Sequence, residues 1–346
     1  MLKKGARAKA RYLNKTFRLQ KRSTPALTLE SFKSNSILSK SKRSQLNISF
    51  GWLFAIIVGA VILVLAIYGA TKVIKTGQSE EQAVGAKEIG ILLNPLEIGF
   101  ESAISTPLSL RIETRIFNNC YPSGNFGKQG IQTSELSFNR WSTPGVESNF
   151  ENKYIFSKSP YTEGKKFYIF SKPFEFPFKI SDLIYLTSED EKYCFDGAPE
   201  NIEDEISQLN QANLVLGCAE NLDYTKVCFG SGANCDIAVN YNSNYVQKNQ
   251  DKIYFEEDAL MYAAIFSDKE IYECQVERLM KRTKHLLSLY LKKEILVQKN
   301  CKSDLGSDLD LFISILENAK DYKVINEVSE LVEEIKIKNK YSSCLW

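Results

Sequence analysis

The stretch from Phe50 to Ala70, FGWLFAIIVGAVILVLAIYGA, holds no charge, no proline and no amide side chain. No charged residue occurs between Arg43 and Lys72. As a helix, these residues rise about 31 Å, close to the hydrocarbon thickness of a bilayer. Twelve of them are Leu, Ile, Val or Phe, and together they favour membrane insertion by roughly 4–7 kcal/mol. A core helix of a soluble domain is seldom apolar on every side over such a length. A cleaved signal peptide has a shorter apolar core, about 7–15 residues, followed by a small-residue cleavage site. Tyr68 and Gly69 before Ala70 make a poor site of that kind. The expectation is a retained transmembrane helix over 49–75, with the bilayer as its first partner.

Charge is divided sharply about this run. Residues 1–75 carry 15 Lys and Arg against one acid, Glu30, and the following 271 residues carry 29 basic and 41 acidic side chains. Positive charge stays on the cytoplasmic side of a span. Residues 1–48 are therefore expected to form a disordered, basic cytoplasmic arm, with residues 76–346 outside. The arm is too polar and too uniformly charged to bury a core. It reads as a topogenic flank, with contact to anionic lipid as the sharper alternative; no nucleic-acid partner is expected. Trp52 and Tyr68 stand near the two ends of the run, where amphipathic rings anchor a span. Gly51, Ala55 and Gly59 lie four apart on one helix face. That small-residue stripe would let two spans approach closely, which keeps a homo-oligomer in view beside the plain reading that small residues are common in spans.

The remainder predicts an α+β ectodomain, an antiparallel sheet followed by amphipathic helices, on one N-terminal transmembrane helix. The helix is expected to extend a few turns past the span before NPLEIGF breaks it at Asn94. In TPLSLRIETRIF, Leu108, Leu110, Ile112 and Ile116 alternate with polar residues, the period of a half-buried strand. FEFPFKI repeats the pattern over Phe174, Phe176, Phe178 and Ile180, with Pro177 confining that strand to an edge or a bulge. Further strands are expected at KYIFS, KKFYIF, DLIYLTS, LVLGC, KVCFG and CDIAVNYN. Ser267 and Glu270 form a capping-box pattern ahead of a long amphipathic helix carrying Ile271, Cys274, Leu279, Met280, Leu286, Leu287 and Tyr290. A shorter helix, EEDALMYAAIF, precedes it, and Ser307 reads as the cap of another after Cys301. The division is a β-rich part over 76–200 and an α+β to helical part over 201–346.

FSKPFEFPFKISDLIYLTS, YFEEDALMYAAIFSDKEIYECQVERLMKR and the apolar span together resemble an uncharacterised family of archaeal single-pass membrane proteins. The resemblance covers most of residues 45–301 and implies location without a function. KRSQLNISFGW resembles a prepilin-like class III signal, cut before Gln45, with Ser44 where such signals carry Gly or Ala.

Eight cysteines, Cys120, Cys194, Cys218, Cys228, Cys235, Cys274, Cys301 and Cys344, all lie C-terminal to the span. An even count on the oxidising side of a membrane points to disulfides. Cys218 or Cys235 would close a small loop with Cys228, and Cys274 with Cys301 would tie the long helix to the segment after it. No C-x2-C spacing occurs, which disfavours a zinc site or a thioredoxin-like redox site. The lone histidine, His285, sits among Lys281, Arg282 and Lys284, a solvated helix face rather than a base. The acids at 188–192, 203–205 and 256–258 lack the spacing of a calcium loop. Those at 203–205 and 256–258 read as residues opposing helix dipoles, with a catalytic carboxylate pair as the alternative. No phosphate-binding glycine motif occurs, and no cofactor is indicated. These features favour a non-enzymatic extracytoplasmic protein of envelope structure, adhesion or assembly, of pilin-like type, with an envelope partner the sequence does not identify. An anchored hydrolase is the alternative.

Overall fold

In the computed structural model, which describes residues 50–92, 104–219, 223–230, 234–301, 304–319, 321–342 and 346, the apolar run opens a helix far longer than a span. This helix, α1 (Phe50–Leu92), is continuous over 43 residues, about 65 Å of rise. Its segment Phe50–Val73 is long and apolar enough to cross a membrane, and none of it is buried in the protein. The far end behaves differently: Ile89 is 7% exposed and Gly90 is buried. The expected break at Asn94 and the basic arm lie outside the described residues.

Ile89 enters a cluster formed by Ile116, Ile131, Ile155, Phe167, Ile169, Ile184 and Leu186. These belong to a seven-stranded sheet made from β1 (Ile104–Tyr121), β2 (Lys128–Ser137), β3 (Arg140–Trp141), β4 (Ser148–Phe150), β5 (Tyr154–Phe156), β6 (Tyr161–Glu175) and β7 (Lys179–Ser188). Its order is β3-β2-β1-β6-β7-β5, with β4 also pairing β2. The register of β1 on β6 jumps from Ser109↔Lys166 to Thr114↔Gly164, so extra residues on β1 bend it. This bulge is where the predicted alternation fails, and Ile112 is left 46% exposed. The bend curls the sheet: the Asn118 amide on β1 donates to the Ile155 carbonyl on β5 at 3.1 Å. Its concave face holds the Ile89 cluster. A Cβ on Gly90 would collide with the Phe150 ring, whereas one on Gly85 would sit 3.7 Å from Thr133 Oγ1, an ordinary contact.

The second sheet contains β8 (Tyr193–Asp196), β9 (Leu214–Leu216), β10 (Thr225–Phe229), β11 (Ile237–Asn240), β12 (Tyr245–Lys248) and β13 (Asp251–Tyr254), in the order β13-β12-β11-β10-β8-β9. Both sheets are mixed, which corrects the expected antiparallel sheet: β5 runs parallel to β7, and β8, β9, β10 and β11 are mutually parallel where they pair. The helix α2 (Glu200–Leu209) crosses from β8 to β9, burying Ile202, Ile206 and Leu209. FEFPFKI is also corrected. Its four apolar side chains are buried, but the chain reverses there, between the end of β6 and the start of β7. Pro177 lies in the turn, where its missing N–H costs no ladder bond, and Phe176 N–H donates to the Phe178 carbonyl at 2.8 Å.

Between the sheets runs α3 (Glu257–Phe266), buried on all sides from Ala259 to Phe266. Phe266 touches Phe170 and Tyr185 of the first sheet and Tyr193 and Phe195 of the second, with ring centroids 4.9–6.4 Å apart. Next come α4 (Lys269–Cys301), α5 (Gly306–Asn318), α6 (Val324–Glu327) and α7 (Ser329–Ser342). The cap of α4 is Asp268, whose carboxylate accepts from Ile271 N–H at 2.8 Å; Ser267, the expected cap, instead donates back to the Ala263 carbonyl at 2.6 Å. Ser307 lies inside α5, whose cap position is Leu305.

Of three disulfides, Cys120–Cys274 joins the first sheet to α4, while Cys194–Cys218 and Cys228–Cys235 lie within the second sheet and its loops. The last is one of the expected loops. Cys274 pairs with Cys120 rather than Cys301 because α4 begins across the end of β1, and Cys218 pairs with Cys194 because β8 and β9 are parallel neighbours. The side chain of Cys301 and the whole of Cys344 lie outside the described part of the structure.

Two measurements check this packing. Gly90→Val overpacks the contact with Phe150 and should destabilise the fold by about 1–3 kcal/mol in denaturant titration, with part recovered by Phe150→Ala; Gly85→Ala should do neither. Bridges stabilise more as they close longer loops. Removing Cys120–Cys274, at a separation of 154 residues, should cost about 5 kcal/mol, and removing Cys228–Cys235, at 7, about 2 kcal/mol. Equal losses would overturn the assignment of connectivity.

Candidate functional site

Polar side chains gather at three places. The most open is a cleft of about 590 Å³ at the starts of β8, β10 and β11 and the end of α3, lined by Lys158, Glu191, Lys192, Asp236, Lys248 and Asp268 among others. Lys248 reaches from the end of β12 to the last carbonyls of α3 and beyond it. Its ammonium donates to Ile265 O at 2.7 Å and Ser267 O at 2.6 Å, where a helix dipole favours a cation. Burial nevertheless pulls its pKa down to about 7. Burial pushes Glu191 up to about 7, against the opposing hydrogen bond from Ser188 N–H at 3.2 Å. The acids around them serve local structure. Asp236 accepts from Lys226 N–H at 2.7 Å, and Asp268 caps α4.

The second cluster gathers acids that the sequence places at helix starts. Glu205 of α2 takes two bonds of 2.7 Å from Lys172 of β6 and one of 3.0 Å from the Tyr262 hydroxyl of α3. Asp258 accepts from Tyr241 OH at 2.8 Å and lies 3.9 Å from the same ammonium. Glu203, Glu257 and Asp258 do stand in first turns, as the dipole reading expects. Glu205, further along, instead ties α2 to both β6 and α3. One acid from each of the groups at 203–205 and 256–258 thus converges on the same lysine. This pairing is invisible in sequence because Lys172, Glu205 and Asp258 come from three separate elements.

The third cluster is buried under α4. Arg278 is fully buried; its guanidinium donates to the carbonyls of Lys153 (2.8 Å), Glu151 (3.1 Å) and Phe126 (3.3 Å) and to Gln275 Oε1 (2.7 Å). It lies over the Tyr154 ring at 4.6 Å. Loss of solvent lowers its pKa to about 10. Gln275 donates in turn to Gln129 and to the Ile155 carbonyl at 2.6 and 3.0 Å. Such donors aimed at strand ends fix where α4 crosses the first sheet. His285, about two turns further on, packs at a tilt against the Phe126 ring, 4.7 Å between centroids.

Of the residues singled out in sequence, Gly51, Ala55 and Gly59 lie on the exposed part of α1, and nothing stands within 4 Å of a Cβ at either glycine. Six of the eight cysteines are paired in the three bridges. Among the described residues no cluster of His, Cys, Asp and Glu is placed to hold a metal ion. No family model, curated protein or solved structure matches the chain.

The cleft makes stability depend on pH with a definite sign. Glu191 titrates at 4.5 in an unfolded chain and about 7 when folded, so the folded state holds the extra proton between them and stability falls as pH rises through that window. Lys248 titrates at 10.5 unfolded and about 7 folded; there the unfolded state holds the extra proton, and stability rises with pH from about 7 upward. Chemical denaturation across pH 4–10 should show a trough near neutrality. Glu191→Gln should flatten its acid limb and Lys248→Met its alkaline limb.

Proposed function

We propose that this is a non-enzymatic, single-pass membrane protein of envelope assembly, pilin-like in plan. The observation that carries the reading is α1. One unbroken helix begins as an exposed apolar rod and ends as a core element of the first sheet, at Ile89 and Gly90. A flexible tether suffices to keep an enzyme near a membrane; a helix built into the core suits a domain that must be presented at a set angle. Three disulfides C-terminal to the apolar segment suit an oxidising, extracytoplasmic compartment. The polar clusters point the same way, since Lys172, Lys248 and Arg278 are each engaged in joining elements. Self-association through Gly51, Ala55 and Gly59 and an envelope partner belong to this reading.

Protease added to intact cells should digest the region after the span. Protection until the cells are lysed would reverse the sidedness and remove the compartment argument for the disulfides. N-terminal sequencing of the protein from membranes should begin at Gln45 if the pilin-like form holds; an intact Met1 leaves an anchored protein outside that class.

A further inference from the structure

β2 and β3 are joined by only two residues, Phe138 and Asn139, because Ser137 pairs with Arg140. Both have positive φ, 49° and 56°, the turn geometry that matches strand twist and is normally filled by Asn, Asp or Gly. Asn139 fits that rule and Phe138 breaks it, since a bulky side chain is strained in this region. The Phe138 ring is 100% exposed. Phe138 forgoes the gain of burying its ring and adds strain as well, with no return inside the fold. Arg140 beside it is exposed, and so are Arg111 and Ile112, which stand on β1 just beyond its last pair with β2, Thr114↔Glu135. An aromatic tip flanked by guanidinium groups has the composition that settles at lipid headgroups.

The direction of β2 supplies the second argument. Gly85 of α1 lies against Thr133, and Gly90 against Phe150, whose partner on β2 is Gln129. Moving along α1 toward its apolar segment therefore advances along β2 toward Phe138. From Thr133 to Phe138 the strand covers about 17 Å, and from Gly85 back to Val73, the last residue of the apolar segment, the helix covers about 18 Å. Inclining the two elements to one another shortens the strand's reach along α1 to about 10 Å and leaves the backbone of the tip about 8 Å from Val73, at the outer edge of a headgroup layer about 5–8 Å deep, which the Phe138 side chain then enters.

We propose that the β2–β3 hairpin tip enters the headgroup layer of the bilayer that α1 crosses, Phe138 pointing toward the acyl chains and Arg111 and Arg140 on lipid phosphates. This rests on the membrane reading above and adds a second lipid contact to it. The test uses the full chain in nanodiscs containing anionic and zwitterionic phospholipids brominated near the top of the acyl chain. Single tryptophans are compared at position 52, at position 138 (Phe138→Trp) and at position 123 (Ser123→Trp, in the loop at the opposite end of β2), the other native tryptophans being replaced by phenylalanine. The expected result is quenched, blue-shifted emission at 138 and unquenched emission at 123. Quenching at 52 without quenching at 138 overturns the proposal and leaves the span intact. No quenching at 52 removes the span and the proposal together. A blue-shifted but unquenched 138 means that a second copy covers the tip, and equal quenching at 123 and 138 means that the domain lies flat; either outcome overturns it.

Discussion

The contact between Gly90 and Phe150 sets the terms for the rest of the molecule. A helix can lie this close to β4 only where it lacks a Cβ, and the approach lets Ile89 fill the hollow that the bent β1 creates. Neither part is self-sufficient. Without Ile89 the concave face would keep an apolar opening lined by Ile116, Ile131 and Ile169; without the curl the helix end would find no pocket. The far end of α1 is therefore an element of the domain core, and its apolar start is continuous with it.

The interior is organised around a different idea, a helix with no wet side. From Ala259 to Phe266 every residue of α3 is buried, and side chains from other elements bond to its carbonyls. Tyr185 adds a bond to the Ala259 carbonyl in the first turn of α3 at 2.6 Å, while Lys248 takes up carbonyls at the C-terminal end, at a cost in its own protonation. Arg278 does comparable work between α4 and the first sheet. These groups give the packed layers a single relative setting, which apolar contact alone specifies weakly.

Much of this is legible in the sequence, and the failures are instructive. Alternation locates β1, and cap-like residues locate α3 and α4, because those signals are local. The strands β9, β10 and β11 are recognisable as strands but not as parallel, since short apolar runs such as LVL and KVCF carry no orientation, and β8, only four residues long, is missed altogether. FEFPFKI reads as one strand because its apolar period continues through the turn; the period reports burial, and Phe176 and Phe178 are buried within the turn itself. The polar clusters stay hidden for a simpler reason. Each is assembled from residues far apart in the chain, such as Gln129 and Gln275, and no spacing announces them. Ser267 and Asp268 differ by one position, which is the ordinary margin for reading a helix boundary.

Cys120–Cys274 joins the end of β1 to the first turns of α4 and so encloses β2 to β13 in one covalent ring. Exposed turns such as those around Gly124 or Asn249 are where proteases cut a folded chain. A single scission inside the ring would open the chain yet release nothing: the part running on through α4 to the C-terminus would stay bonded to the part that begins with α1. Separating the C-terminal part from α1 would then require either two events, cleavage and reduction, or a cut outside the ring, between α1 and Cys120.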